Sequence, residues 1–336
     1  MFELFTQLTI MLDANLTLSQ SIELMLKSKQ NIDIKDILIL IQDSINTGKP
    51  IEKVLKGYQK YLGESSVLFL KLGIENGNIK ESISSLVELM DEDRKSYEKL
   101  NEIIRYPLVL VASLIVAISM IFIYVVPNFE YIFKMLEELP LATKILLWIK
   151  DTVENYFIFI VLFFIAMGFS IYLLYLKYRY SFDTFMIKNI PVVSKLLQSY
   201  IFFRLFLSMS IIVKSKYQFQ IAIEHSKSMI ENLYIKKVMD NILTSIKNGN
   251  SIAKSFENTL LFDNLTIRLL YTAEQTNSYD KVLNNITTYY KNKFNNSIKL
   301  FSSILEPTII FIISIVVLWL VLAVMLPMWD LSSAIS

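Results

Sequence analysis

Cysteine is absent from this 336-residue chain, histidine occurs once, at His225, and glycine only seven times. The first absence excludes disulfides, thiolate-held zinc and iron–sulfur clusters. A single histidine excludes paired-histidine metal sites and two-histidine relays, and leaves a Ser/His/acid triad formally open but unsupported. His225 falls on a helical stretch and reads as a structural residue. Scarce glycine excludes phosphate-cradling loops: the only Gly-Lys is Gly48-Lys49, followed by Pro50, with Asp43 where a P-loop needs its first glycine. Neither Gly-x-Gly-x-x-Gly nor Gly-x-Ser-x-Gly occurs. The acidic runs Glu137-Glu138 and Asp91-Glu92-Asp93 read as solvated faces rather than acid–base pairs. No catalytic, metal or cofactor site is expected.

Charge is missing from three windows, residues 108–126, 157–176 and 308–326, which are 19, 20 and 19 residues long and hold no Asp, Glu, Lys, Arg or His. Each has the length needed to cross roughly 30 Å of hydrocarbon. They account for a mean hydropathy of +0.46 and a hydrophobic share of 54%. Trp148, Tyr156, Tyr175 and Trp329 stand at their ends as interfacial anchors. Transporters and proton channels keep ionisable groups along the conducted path, so these charge-free spans argue against that alternative reading, a small transporter or channel subunit. The first 30 residues are amphipathic with no basic start, so no cleavable signal peptide is expected.

Basic residues flank the spans on one side. Arg94, Lys95, Lys99 and Arg105 precede the first, Lys177, Arg179, Lys188 and Lys195 follow the second, and Lys291, Lys293 and Lys299 precede the third. The stretch 127–155 carries three lysines against five acids. The positive-inside bias therefore predicts a cytoplasmic N-terminus, with 127–155 and the C-terminal tail outside. Residues 1–105 hold 13 basic and 16 acidic side chains, a net of −3, whereas residues 177–306 hold 17 and 9, a net of +8. That excess suits acidic lipid headgroups or an acidic partner. Without an arginine-rich run or a reader motif, nucleic acid is not expected.

The chain also repeats itself. Leu12-Asp13-Ala14-Asn15-Leu16 aligns with Val213-Lys214-Ser215-Lys216-Tyr217, Ile45 to Ile51 with Ile246 to Ile252, and Tyr106-Pro107 with Glu306-Pro307. The offset is 201 at first and 200 from Gly77/Asn277 onward, so one residue is dropped between. Within each copy the apolar spacing is helical, as in Ile34, Ile37, Leu38, Ile41 and Ile45. Thr17-Leu18-Ser19-Gln20 forms a capping-box pattern. Gly48 and Gly249 suit the left-handed end of a helix, with Pro50 in the next first turn and Asn250 or Ser251 as the matching cap. The expected fold is all-α: a polytopic membrane protein with two homologous cytoplasmic six-helix bundles and three transmembrane helices. Expected segments are a first domain 1–105, spans 106–126, 156–176 and 307–326, a periplasmic loop 127–155, a second domain 177–306 and a tail 327–336.

The order of these signposts resembles the type II secretion F and type IV pilus inner-membrane platform family across residues 2–330. Gly48-Lys49-Pro50-Ile51, Glu75-Asn76-Gly77-Asn78-Ile79, Val125-Val126-Pro127-Asn128-Phe129, Leu139-Pro140-Leu141-Ala142-Thr143 and Ile190-Pro191-Val192-Val193 carry the resemblance. Glu274-Gln275-Thr276-Asn277, Glu306-Pro307 and Pro327-Met328-Trp329 complete it. Glycine usual in the family is replaced near Asn15 and Lys216, at Ser194 and at Asn277. The resemblance implies a non-enzymatic platform in the bacterial inner membrane, coupling a hexameric cytoplasmic assembly ATPase to insertion or removal of pilin or pseudopilin subunits. It also implies contact with other inner-membrane assembly proteins and lipid, and assembly as a homo-oligomer. Candidate structural or partner-contact residues are Gly48, Glu75, Gly77, Pro107, Gly249, Glu274, Thr276, Glu306 and Pro307, with Glu75/Gly77 and Glu274/Thr276 expected between helices at matching places. A kink or break is expected at Pro307, placing Glu306 at the mouth of the third span, either paired with a neighbouring cation or free for a partner.

Overall fold

The computed structural model describes the chain except residues 29–31, 129–138 and 336. Every regular element among the described residues is helical. The first copy comprises α1 (Phe2–Asp13), α2 (Leu18–Lys27), α3 (Ile32–Thr47), α4 (Ile51–Val54), a short α5 (Gln59–Leu62), α6 (Glu64–Glu75) and α7 (Ile79–Met120). After α8 (Leu141–Lys177) and α9 (Arg179–Asn189), the second comprises α10 (Pro191–Lys214), α11 (Phe219–Ser228), α12 (Leu233–Lys247), α13 (Ile252–Glu257), α14 (Asn264–Thr276) and α15 (Tyr279–Ile335). The starts of α2 and α11, and of α4 and α13, lie 201 positions apart; those of α6 and α14, and of α7 and α15, lie 200 apart. The dropped residue therefore falls between the fourth and fifth principal helices.

Local chemistry sets these boundaries. The Gln20 amide donates to Thr17 Oγ1 at 3.2 Å while the Thr17 amide donates to Gln20 Oε1 at 2.9 Å, closing the capping box that opens α2. Ser251 Oγ accepts from the Lys254 amide and so resolves which residue caps α13, while Pro50 stands at the N-cap of α4, one position before the first turn. The turns after the first, third and fifth helices of each copy need a left-handed residue. Asn15 (φ 64°), Gly48 (64°) and Gly77 (66°) supply it in the first copy, and Lys216 (65°), Gly249 (87°) and Asn277 (50°) in the second. Five of the six are residue types that tolerate this region; Lys216 is not.

Two compact units result, Met1–Glu98 with Asp183–Ser297, and Lys99–Phe182 with Ile298–Ser336. The first holds both copies. In its second copy an aromatic cluster forms the core: Phe206 stacks on Tyr290 with centroids 5.4 Å apart and meets Phe256 and Phe262 at 6.2 and 5.9 Å. At the corresponding positions the first copy has Phe5, Leu55, Leu62 and Met90, so one aromatic ring remains, and Phe5, Leu55 and Leu62 are buried. Burying each such side chain contributes about 1.5–3 kcal/mol. Phe203 stacks on Phe294 at 6.3 Å, and at the matching place the Arg94 guanidinium lies 4.7 Å from the Phe2 ring. One contact persists with different chemistry. α1 buries a single face, Leu4, Phe5, Leu8 and Leu12, whereas α10 is buried almost all round from Phe202 to Ile212.

Four helices are long and apolar enough to cross a membrane, but α10 has 67% of its apolar window buried in protein against 6%, 0% and 17% for α7, α8 and α15. α10 is thus a core helix, and the three expected spans remain. In the second unit Val126, Leu146, Leu320, Ala323 and Val324 form a buried cluster, and Thr143 Oγ1 donates to the Ala323 carbonyl at 2.7 Å. Part of the stretch read as a loop, 127–155, is helical: α8 begins at Leu141 and enters the second span through a non-helical residue, Tyr156. Phe129, Glu130, Lys134, Glu137 and Glu138 lie outside the described residues. The break expected at Pro307 is not found, because α15 runs through Pro307 and α7 through Pro107. A proline deletes one backbone donor and leaves the rest of the ladder intact, and here Thr308 Oγ1 donates to the Ile304 carbonyl at 2.7 Å in the affected turn.

A β-carbon in the left-handed region costs about 1–2 kcal/mol. Lys216→Gly is therefore expected to raise the thermal midpoint of the purified protein, with a gain of about 1 kcal/mol read by differential scanning fluorimetry.

Candidate functional site

The two copies meet inside the first unit along a seam. Arg204 on α10 reaches Asp93 on α7 with both prongs of its guanidinium, Nε to Oδ1 at 2.8 Å and Nη2 to Oδ2 at 3.0 Å. Burial on its own would lower the Arg204 pKa; the Asp93 carboxylate overrides it, and the guanidinium is held above its ordinary value. Beside it Lys291 Nζ lies 2.6 Å from Glu92, and Lys214 lies 4.0 Å from Glu88. The Tyr217 hydroxyl donates to the Leu72 carbonyl at 2.9 Å and also meets the Asn76 amide. Burial, with the Glu75 carboxylate nearby, pushes the Tyr217 hydroxyl pKa up, so it stays a donor. In each of these three ion pairs the acid comes from the first copy and the base from the second. A cavity of about 370 Å³ opens along the seam, lined by Lys53, Glu64, Ser65, Ser208, His225 and Ser228 among others.

The candidate residues sort by geometry. Gly48, Gly77 and Gly249 occupy left-handed turns. Glu274 lies within α14, and its carboxylate accepts from Ser251 Oγ at 2.6 Å, from the Ile252 amide and from the Ala253 amide at 3.3 Å. It thereby fills the positive N-terminus of α13. Glu75 is the last residue of α6, and with the 200-residue offset it matches Gln275, while Glu274 matches Ile74. The two acids are therefore not equivalent, and both sit on helices rather than between them. Thr276 closes α14, its hydroxyl donating to the Thr272 carbonyl at 2.7 Å. Sequence reasoning missed the capping role of Glu274 because its target lies 22 residues away. The missing signal was the short α13, whose first amides need an acceptor beyond Ser251.

Within the second unit Pro107 and Pro307 line one groove of about 200 Å³, together with Lys99, Glu102, Tyr106 and Glu306. The structure thus brings together the two copies' span-entry residues. Glu306 is exposed and makes no ion pair among the described residues.

Glu274→Gln is expected to lower stability by about 1 kcal/mol, because a charged cap is replaced by a neutral one. Glu75→Gln makes no such change, and thermal melts of the two variants side by side separate them.

A family model described as "Type II secretion system (T2SS), protein F" matches residues 4–127 and 205–327, one segment on each copy. Among curated proteins, the chain is 20% identical to the type IV pilus assembly protein PilC of Pseudomonas aeruginosa, covering 99% of this chain and 90% of that one. It is 22% identical to the type IV pilus assembly protein TapC of Aeromonas hydrophila, over 98% of this chain and 81% of the relative. It is 20% identical to the type II secretion system protein F of Vibrio cholerae, over 98% and 82%. Two copies of an all-helical unit, each running on one helix into an apolar span and each matched by its own segment of that model, make this chain a member of the type II secretion system protein F family.

Proposed function

We propose that the protein is a non-enzymatic inner-membrane platform of a pilus or secretion machine, coupling a cytoplasmic assembly ATPase to the entry or removal of pilin-like subunits. The observation that carries this reading is the continuity of α7 and α15, helices of 42 and 57 residues that each run from a helical copy into an apolar span, α15 through the whole of its span and α7 to Met120, where a π-helical turn, Ile121–Val125, carries the helix on. A continuous helix transmits a push or rotation along its axis, which a flexible linker does not. The family membership and the pilus and secretion relatives support the same role. The duplicated helical domains face the cytoplasm in this reading, and the open groove at Glu306 and Pro307 contacts a partner at the membrane boundary. Glu75, Gly77 and Thr276, exposed at helix ends, offer further contact points.

The orientation is tested by phosphatase fusions, expected to be active after Ser336 and inactive after Lys60 or Asn250. Activity at Lys60 reverses the topology and removes the ATPase-facing role.

Deletion of the gene is expected to abolish pilus or pseudopilus assembly while leaving subunit synthesis unchanged, and the purified protein is expected to hydrolyse no ATP. Hydrolysis that co-purifies with this polypeptide overturns the non-enzyme reading. Glu306→Gln removes a charge that makes no ion pair among the described residues, so assembly is expected to fall with protein level and thermal midpoint unchanged.

A further inference from the structure

The cavity in the seam gathers more hydrogen-bond donors than the chain supplies with acceptors. The first copy contributes Lys53 from α4 and Glu64, Ser65 and Phe69 from α6; the second contributes Ser208 from α10 and Met229 from α11. Its volume of about 370 Å³ is that of a small-molecule site. Ser208 is 1% exposed, yet its hydroxyl has no hydrogen-bond partner among the described residues, and neither has that of Ser65. A buried hydroxyl without a partner is costly, and here the cavity is the space that can hold one. Ser228, also in the lining, already donates to the His225 carbonyl at 2.7 Å.

The start of α6 adds further donors. The first hydrogen bond of this 12-residue helix runs from the Val67 amide to the Gly63 carbonyl, so the amides of Glu64, Ser65 and Ser66 have no acceptor among the described residues. Gly63, at φ 83°, is the N-cap and has no side chain to offer them. Two hundred positions on, the N-cap of α14 is Asp263, whose carboxylate accepts from Lys293 at 2.7 Å and from the Tyr289 hydroxyl at 2.9 Å. The second copy thus carries its own anion at this helix end, and the first copy does not. Lys53 and Glu64 are both exposed and make no ion pair among the described residues. Their charges cancel, so the preference for an anion comes from the amides, the two hydroxyls and the positive end of α6.

We propose that the seam cavity binds a small organic phosphate, a phosphate monoester on an apolar or aromatic body. The phosphate sits at the N-terminus of α6, within reach of Lys53, Ser65 and Ser208, and the body packs on Phe69 and Met229. Three amides, two hydroxyls and one ammonium suit the three terminal oxygens of a phosphate better than the two of a carboxylate. The ligand touches both copies and so stabilises the seam by mass action. Such a site is compatible with any role of the chain, so a failure to bind leaves the platform reading untouched.

Isothermal titration calorimetry on the full-length protein in detergent and phosphate-free buffer tests this, with phenyl phosphate as the probe. One site per chain is expected, at least ten-fold tighter than for inorganic phosphate, and phenol is expected to give no heat. Lys53→Gln and Ser208→Ala are each expected to weaken binding at least five-fold. Glu64→Gln removes the one opposing charge and is expected to tighten it at least two-fold. Lys254→Gln, at the matching lysine of the second copy, is expected to change nothing. Should the Ser208→Ala chain fail to fold, Ser65→Ala takes its place with the same five-fold criterion. Absence of saturable heat, phenyl phosphate no tighter than inorganic phosphate, an unchanged affinity in Ser208→Ala, weaker binding in Glu64→Gln, or a loss in Lys254→Gln as large as in Lys53→Gln would each overturn the inference.

Discussion

Backbone hydrogen bonding in hydrocarbon is the constraint on which the rest of this structure depends. A segment that enters lipid must satisfy its own amides and carbonyls, and a single helix does so without help from neighbours. Extending that same helix into water is possible only if its outer surface changes character along its length. α15 does this: it begins among Asp280, Lys281, Asn284 and Asn285, buries Leu283, Ile286 and Tyr290, and from Thr308 onward shows mostly aliphatic side chains. The prolines fall where that change takes place. Each costs one hydrogen bond at the boundary, where interfacial water and hydroxyl side chains are at hand, rather than at the bilayer centre.

Short-range chemistry was readable without coordinates. The capping box at Thr17, the left-handed glycines and the stop–restart at 48–51 and 249–252 rest on interactions within five residues, so residue type and spacing determine them. The duplication was readable because it recurs in register. What the sequence did not disclose rests on distance. Arg204 and Asp93 are 111 positions apart, and although the opposite net charges of the copies were visible, nothing in one dimension says which acid meets which base. Glu274 looked like one of two matching acids, but at the 200-residue offset it stands opposite Ile74, and only the folded chain shows that it caps a helix. The helix at 141–155 was read as a loop because its charged residues end the apolar run. Yet Thr143 and Leu146 are buried on one side and Trp148 faces out, an amphipathic pattern too short to stand clear of its charged surroundings.

The two copies also show how a duplication diverges while keeping one backbone. Leu55 and Leu62 in the first correspond to Phe256 and Phe262 in the second, and Arg94 to Phe294, with helix order unchanged. Packing tolerates such exchanges when volume is redistributed among neighbours rather than added at one site. Charge is treated differently, because a sign cannot be shared out. Arg204 and Asp93, which pair across the seam, stand where the other copy has Glu3 and Lys293, so both signs are reversed at the matching positions.

The second span carries a different kind of freedom. The apolar stretch of α8 has none of its window buried by the rest of the chain, so no side chain there is shaped to a neighbour. Lipid tails accept any branched or aromatic surface about equally well, which means that this helix stores length and hydropathy but almost no identity. It is the part of the molecule where sequence is free to drift without consequence for the fold, and where a reporter residue would sense the bilayer rather than the protein.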